Sequence, residues 1–170
     1  MLFRSDTSAG RTAFNKDLNG TELDYLVSVD CSVDEQAKGF RTVKEVSSGE
    51  VAKKVKQKKG IDLTKIPNKN KWFEITERDE NGLYVKQVKV GDRSFRGGTL
   101  HLSILGYSCL RSPCFWIEYD SSTDKFIFTS LGYGTGVGMS QQGAIAYAAQ
   151  GKNYAWILQH FYTGIELKSK

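Results

Sequence analysis

The sequence predicts an α+β fold: a mostly antiparallel sheet with a short amphipathic helix and two C-terminal helices packed against it. Three observations carry this. From Trp72 to Phe128 apolar residues recur at every second position in runs broken by turn residues, the signature of an antiparallel meander. Before it, "SSGEVAKKVKQKKG" has the start signal, spacing and stop of a helix. After it, apolar residues recur at i, i+3, i+4, i+7 and i+8, one face of a helix.

Taken in order, "SDTSAGRTAF" clusters Ser, Asp, Thr and Gly and reads as a turn. "DYLVSVDCSVD" alternates enough for a strand or extended segment. In the first helix Ser47 and Glu50 form a capping box, and Val51 and Val55 share a face. Lysines load its last turn, and Gly60 stops it. Pro67 then pushes Ile66 towards extended backbone and marks a boundary. The meander follows as "WFEIT", "YVKQVKV", "GTLHLSIL", "CFWIEYD" and "KFIFT". The next helix runs from about Ser140, as N-cap, to Gln150, with Gly151 past its end. The last starts near Asn153 and turns Tyr154, Ile157, Leu158, Phe161 and Tyr162 to one side; Gly164 ends it, and "IEL" reads as a final short strand.

The chain has 170 residues, enough for one domain with a real core. Its aromatic content of 12% argues against disorder. No apolar stretch approaches the length of a membrane span. "MLFRSDTSAGRT" turns polar too early for a secretory signal, so either the chain is cytoplasmic or a leader lies outside this sequence. Cys31, Cys109 and Cys114 show no CxxC spacing, and His101 and His160 lie far apart, so the sequence calls for no metal and no cofactor. The formal net charge of +5 is uneven: Lys38 to Lys71 holds eleven Lys or Arg against Glu45, Glu50 and Asp62, a net +8, leaving −3 elsewhere. That stretch, a lysine-rich helical and loop lobe over about 38–71, suits an anionic partner such as bacterial cell wall or nucleic acid. It equally suits a solvated face.

The most unusual stretch is "GYGTGVGMSQQGA", Gly132 to Ala144, with glycine at four alternate positions ahead of a helix. So much glycine is expected only where φ is positive or another backbone comes close. A Walker loop would need GK[ST] where "GMS" stands, and the glycine spacing never satisfies GxGxxG. "GMSQQG" has one residue too many for a GxSxG nucleophile elbow. What remains is backbone chemistry: N–H groups ahead of a helix, joined by Ser140, Gln141 and Gln142, can face a neutral or weakly anionic polyhydroxylated ligand such as a sugar chain. A tight structural crossover is the alternative.

"GYGTGVGMSQQGAIAYAAQGKNYAWILQHFYTGIEL" resembles the C-terminal signature of the stage II sporulation protein D family, the SpoIID/LytB domain: Gly-aromatic-Gly-His-Gly-Val-Gly-Met-Ser-Gln-aromatic-Gly-Ala, a helix, and a Tyr-x-x-Ile-Leu-x-x-Tyr-Tyr-x-Gly helix. "LRSPCFWI" looks like its Leu-Arg-Ser-x-x-Phe strand, "SDTSAGRT" like its Ser-Ser-x-Gly-Gly-x-Thr turn, and "DYLVSVDCSVD" like its Pro-Tyr-Leu-x-x-Val segment. The blocks follow the family order over most of the chain, which then reads as a single domain, 1–170, matching the C-terminal part of the family's.

The resemblance implies an extracytoplasmic, cell-wall-associated protein acting on peptidoglycan glycan strands, with other cell-wall hydrolases or sporulation proteins as further partners. Family activity is lytic transglycosylation, attributed to a glutamate in a Glu-Met-Pro-like segment upstream of the Ser-x-Gly-x-Thr turn; a related branch enhances an amidase. No Glu-Met-Pro occurs in these residues. That chemistry needs a carboxyl to protonate the glycosidic oxygen and then take the proton of the sugar's C6 hydroxyl. Without it, binding is expected and cleavage is not, so the sequence names no catalytic residue. The residues the resemblance implies for substrate binding are Ser8, Gly10, Thr12 and Tyr25, with Gly134, Thr135, Gly136, Gly138, Ser140 and Gln141. Thr135 stands where the family has histidine, and Gln142 where it has an aromatic residue. The alternatives are a non-catalytic glycan-binding or amidase-enhancing protein and, third, a cytoplasmic nucleic-acid binder. The last is disfavoured because the lysines lack the interleaved aromatics that base stacking uses.

Overall fold

The computed structural model describes residues 4–168. The chain forms two compact units, one from residues 1–40 and 132–170, the other from residues 41–131.

The second unit carries the sheets. Strand β2 (Arg41–Ser47) leads directly into helix α2 (Ser48–Lys59). Ser47 caps α2 by accepting the Glu50 N–H, Val51 and Val55 are fully buried, and Gly60 ends it at φ 70°. Strands β3 (Phe73–Arg78), β4 (Val85–Val90) and β5 (Arg93–Arg96) form one antiparallel sheet. Between β5 and the next strand runs helix α3 (Gly97–Thr99), which continues as a π-helical turn over Leu100–Leu105. Strands β6 (Phe115–Asp120) and β7 (Lys125–Leu131) pair with β2 in a second sheet, order β2-β7-β6. Their shared core stacks Trp72 on Phe126 with ring centres 5.4 Å apart and draws in Val51, Val55, Leu100 and Ile104.

The α+β class holds, and α2 packs on the sheet as expected. Three local expectations are corrected. "GTLHLSIL" is helical, because Leu100, Ile104 and Leu105 are buried while Leu102 is 47% exposed, a helical rather than alternating pattern. "DYLVSVDCSVD" starts in a turn at Asp24 and Tyr25, runs on without forming a strand to a bridge between Asp30 and Arg11, then coils into a 3₁₀ turn over Ser32–Gln36. "IEL" forms no strand.

The first unit holds both ends of the chain. Strand β1 (Arg4–Ser5) pairs in parallel with β8 (Met139–Ser140). Helix α1 (Asn15–Asn19) follows the N-terminal turn. Helices α4 (Gln141–Ala149) and α5 (Tyr154–Phe161) follow β8, the first capped by Ser140 as the sequence indicates and the second by Asn153, near which the sequence starts it. Ile157 and Phe161 of α5 are buried, and Tyr154 is 76% exposed. Among the described residues no helix is long and apolar enough to cross a membrane.

Candidate functional site

All four glycines of the loop take positive φ: Gly132 76°, Gly134 117°, Gly136 78° and Gly138 76°. Gly132 is also sterically obligatory, since a Cβ there would lie 2.6 Å from the Ser8 carbonyl oxygen. The glycine loop and the N-terminal turn are thus joined in one layer. The Asp6 and Thr7 N–H groups donate to the Tyr133 carbonyl at 3.0 and 3.1 Å, and the Tyr133 N–H donates back to Thr7 at 2.9 Å. The Gly136 N–H donates to Ser5 Oγ at 2.8 Å, and its carbonyl accepts the Ala13 N–H at 2.8 Å.

Beneath this layer lies a buried polar cluster centred on Asp34, which has no exposed surface. Asp34 Oδ2 accepts the Ser8 N–H at 2.7 Å and the Cys31 thiol at 3.2 Å; Oδ1 accepts the Ser140 hydroxyl at 2.9 Å. Ser140 Oγ in turn accepts the Gly143 N–H at 3.0 Å, so one serine caps α4 and ties it to Asp34. Burial, and then the Asp34 charge, push the Cys31 thiol far up, so it stays protonated and serves as a donor. Gly143 is required here by space: a Cβ would collide with Cys31 Sγ.

Of the residues that the sequence singles out, Ser8, Gly10, Thr12, Gly136, Gly138 and Ser140 are buried in this layer. They set the backbone of the loops rather than offering side chains to solvent. Thr12 holds the extended segment, donating to the Val27 carbonyl at 3.1 Å and accepting the Val29 N–H at 2.9 Å. Gly134, Thr135, Gln141 and Tyr25 are half-buried and keep an accessible edge. Thr135 Oγ1 lies 3.4 Å from Ser5 Oγ, and the Tyr25 ring packs 6.4 Å from that of Tyr162. Exposed beside them are Tyr133 and Gln142. The accessible face of the loop is therefore rich in hydroxyl and amide groups, with the half-buried Asp6 carboxyl beside them.

No local signal marks Ser5, Cys31, Asp34 and Gly143 as the residues that organise the site. Their roles rest on contacts between segments up to 131 residues apart. The cluster offers no general acid to a substrate, since both Asp34 oxygens are engaged and shielded. Nor does Ser140 meet a histidine: His160 Nε2 lies 2.7 Å from the Asp30 carbonyl, and its ring stacks on Trp156 at 4.8 Å. Among the described residues no group of three His, Cys, Asp or Glu side chains could hold a metal.

No family model matches the chain. Over 161 residues, 95% of its length, it is 29% identical to stage II sporulation protein D of Bacillus amyloliquefaciens. The chain is SpoIID-like. Over 67 residues, 39% of its length, it is also 37% identical to the amidase enhancer of Bacillus subtilis (strain 168). The SpoIID-like chain spans 43% of the first relative and 9% of the second.

Proposed function

We propose that the chain is a peptidoglycan-acting module that binds glycan strands and does not cleave them by itself, its two units forming one SpoIID/LytB-like domain. One observation carries this reading. The blocks that resemble the family at the two ends of the sequence, Ser5 to Asp34 and Gly132 to Gly164, fold into one unit, joined by the β1–β8 pair and the Asp34 cluster. Among what that unit leaves accessible are Thr135, Gln141 and Gln142, whose hydroxyl and amide groups suit hydroxyl-rich ligands.

Lytic cleavage would need a carboxyl kept protonated by an apolar enclosure. Glu22 and Asp24 are the carboxyls nearest Tyr25 in the sequence, and the Glu22 side chain is 74% exposed and ion-paired with Lys16 at 3.4 Å. That setting gives no such enclosure. Setting the chain at the cell wall makes it extracytoplasmic, and the lysines of α2 then attract anionic wall polymer rather than nucleic acid.

Co-sedimentation with purified sacculi tests the proposal. Thr135→Val with Gln141→Leu is expected to weaken binding several-fold in a protein that melts normally; retention in the supernatant at low salt would overturn the reading. The relative named an amidase enhancer supports a second reading, action through a cell-wall amidase. Faster release of stem peptides by a purified amidase when the chain is added would favour it.

A further inference from the structure

The first unit contains a small pocket outside the glycine loop, between α1 and the turn that follows it, of about 240 Å³. Its walls are apolar, from Phe14, Leu26 and Val27, and its rim carries Lys16, Glu22 and Asp24. Lys16 reaches across the opening: its ammonium lies 5.4 Å from the centre of the Phe14 ring and 3.4 Å from Glu22 Oε1. The pair is largely in water, with side chains 50% and 74% exposed, so it is weak and exchangeable.

The chemistry of this lining selects a ligand. No hydroxyl or amide side chain lines the pocket, so it lacks the neutral donors and acceptors that hold a sugar ring. It offers one ammonium, two carboxylates and a short apolar floor instead. Its volume lies below the roughly 300–1,000 Å³ typical of sites for drug-sized ligands, which fits one or two small residues rather than a disaccharide. A ligand carboxylate would take Lys16 from Glu22, a ligand ammonium would take the freed Glu22 and Asp24, and a methyl or methylene group would lie on Phe14 and Val27. Every charge would then keep a partner.

The geometry points to a subsite for a short zwitterionic peptide and, resting on the glycan-strand reading above, to the peptide stem carried by those strands. The module then reads glycan through the glycine-loop face and stem peptide through the α1 pocket of the same unit.

The probe is free L-Ala-γ-D-Glu-L-Lys-D-Ala, titrated into ¹⁵N-labelled protein, with tetra-N-acetylchitotetraose as the glycan probe. The peptide is expected to shift the amides of residues 14–27 and the glycan to leave them in place. Lys16→Gln and Glu22→Gln are each expected to weaken the peptide about two- to fivefold, the range for an exposed charge contact. Both are surface changes, and an unchanged spectrum elsewhere shows that the fold is intact. Absence of shifts in residues 14–27 at millimolar peptide, or shifts that both variants leave unaltered, would overturn the proposal. Peptide shifts in a protein that ignores sacculi would uphold the pocket and reject the glycan reading. Binding to sacculi with equal affinity before and after their stems are removed would reject the pocket and leave the glycan reading standing.

Discussion

Acid should loosen the second unit through His101. The side chain is fully buried, neither ring nitrogen has a hydrogen-bond partner among the described residues, and the Tyr107 ring meets it edge-on at 4.8 Å. Burial pushes its pKa from 6.5 down to about 4, with the Arg111 backbone acting in the opposite direction. The folded protein therefore resists a proton that the unfolded chain takes up readily, and stability rises with pH between those two values. The drop from 6.5 to about 4 corresponds to about 3 kcal/mol lost once the pH has fallen through 4, of which about 2 kcal/mol is already lost at pH 5. The assay is urea unfolding at pH 7.5 and pH 5 in a Trp156→Phe background, so that fluorescence comes from Trp72 and Trp116 of the second unit. His101→Leu removes the titrating group and its two unpaired nitrogens. It should match or exceed the parent at pH 7.5 and lose about 2 kcal/mol less on going to pH 5. Equal pH slopes in parent and variant would refute the reasoning.

Asp34→Ala removes the acceptor of the Ser8, Cys31 and Ser140 donors, and at about 1–3 kcal/mol for each donor left unsatisfied it should unfold the first unit or lower its melting temperature steeply. Gly143→Ala drives a methyl into Cys31 Sγ and should destabilise by about 1–3 kcal/mol, read by the same melt; Cys31→Ala in that background should return part of the loss. Replacing Lys53, Lys56, Lys58 and Lys59 of α2 with glutamine should weaken sacculus binding at low salt and flatten its salt dependence. An unchanged salt profile would reduce those lysines to a solubility feature.

The helices α2, α4 and α5 were legible because each carries local signals: the Ser47, Ser140 and Asn153 caps, and the glycines just past the ends of α2 and α4. Strand β7 was legible because every second residue is buried, β4 because Val85, Val88 and Val90 are, and β3 and β6 because Phe73 and Ile75, and Phe115 and Ile117, alternate with other residues in the sequence. Strand β2 was not, since Val46 alone of its seven residues is buried and no alternation results. The "LHLSIL" segment satisfies both periods on paper, and only the sheets around it decide between them. At the candidate site the glycines announced strained backbone, and the positive φ angles bear that out. The carboxyl that organises the layer was hidden, because Asp34 reads as the polar end of an extended segment until the fold turns the chain at Ser32–Gln36 and brings Ser8 and Ser140 to it.

The central claim, binding without cleavage, meets its most direct test when the purified chain is incubated with sacculi and sedimented, the pellet is assayed for protein and the supernatant is analysed by mass spectrometry for muropeptides. The account predicts protein in the pellet and no anhydro-muramic ends above a protein-free control. Protein left in solution would contradict the binding half of the claim. Anhydro-muramic ends that disappear in Glu22→Gln or Asp24→Asn would contradict the other half and make one of these carboxyls a catalytic acid.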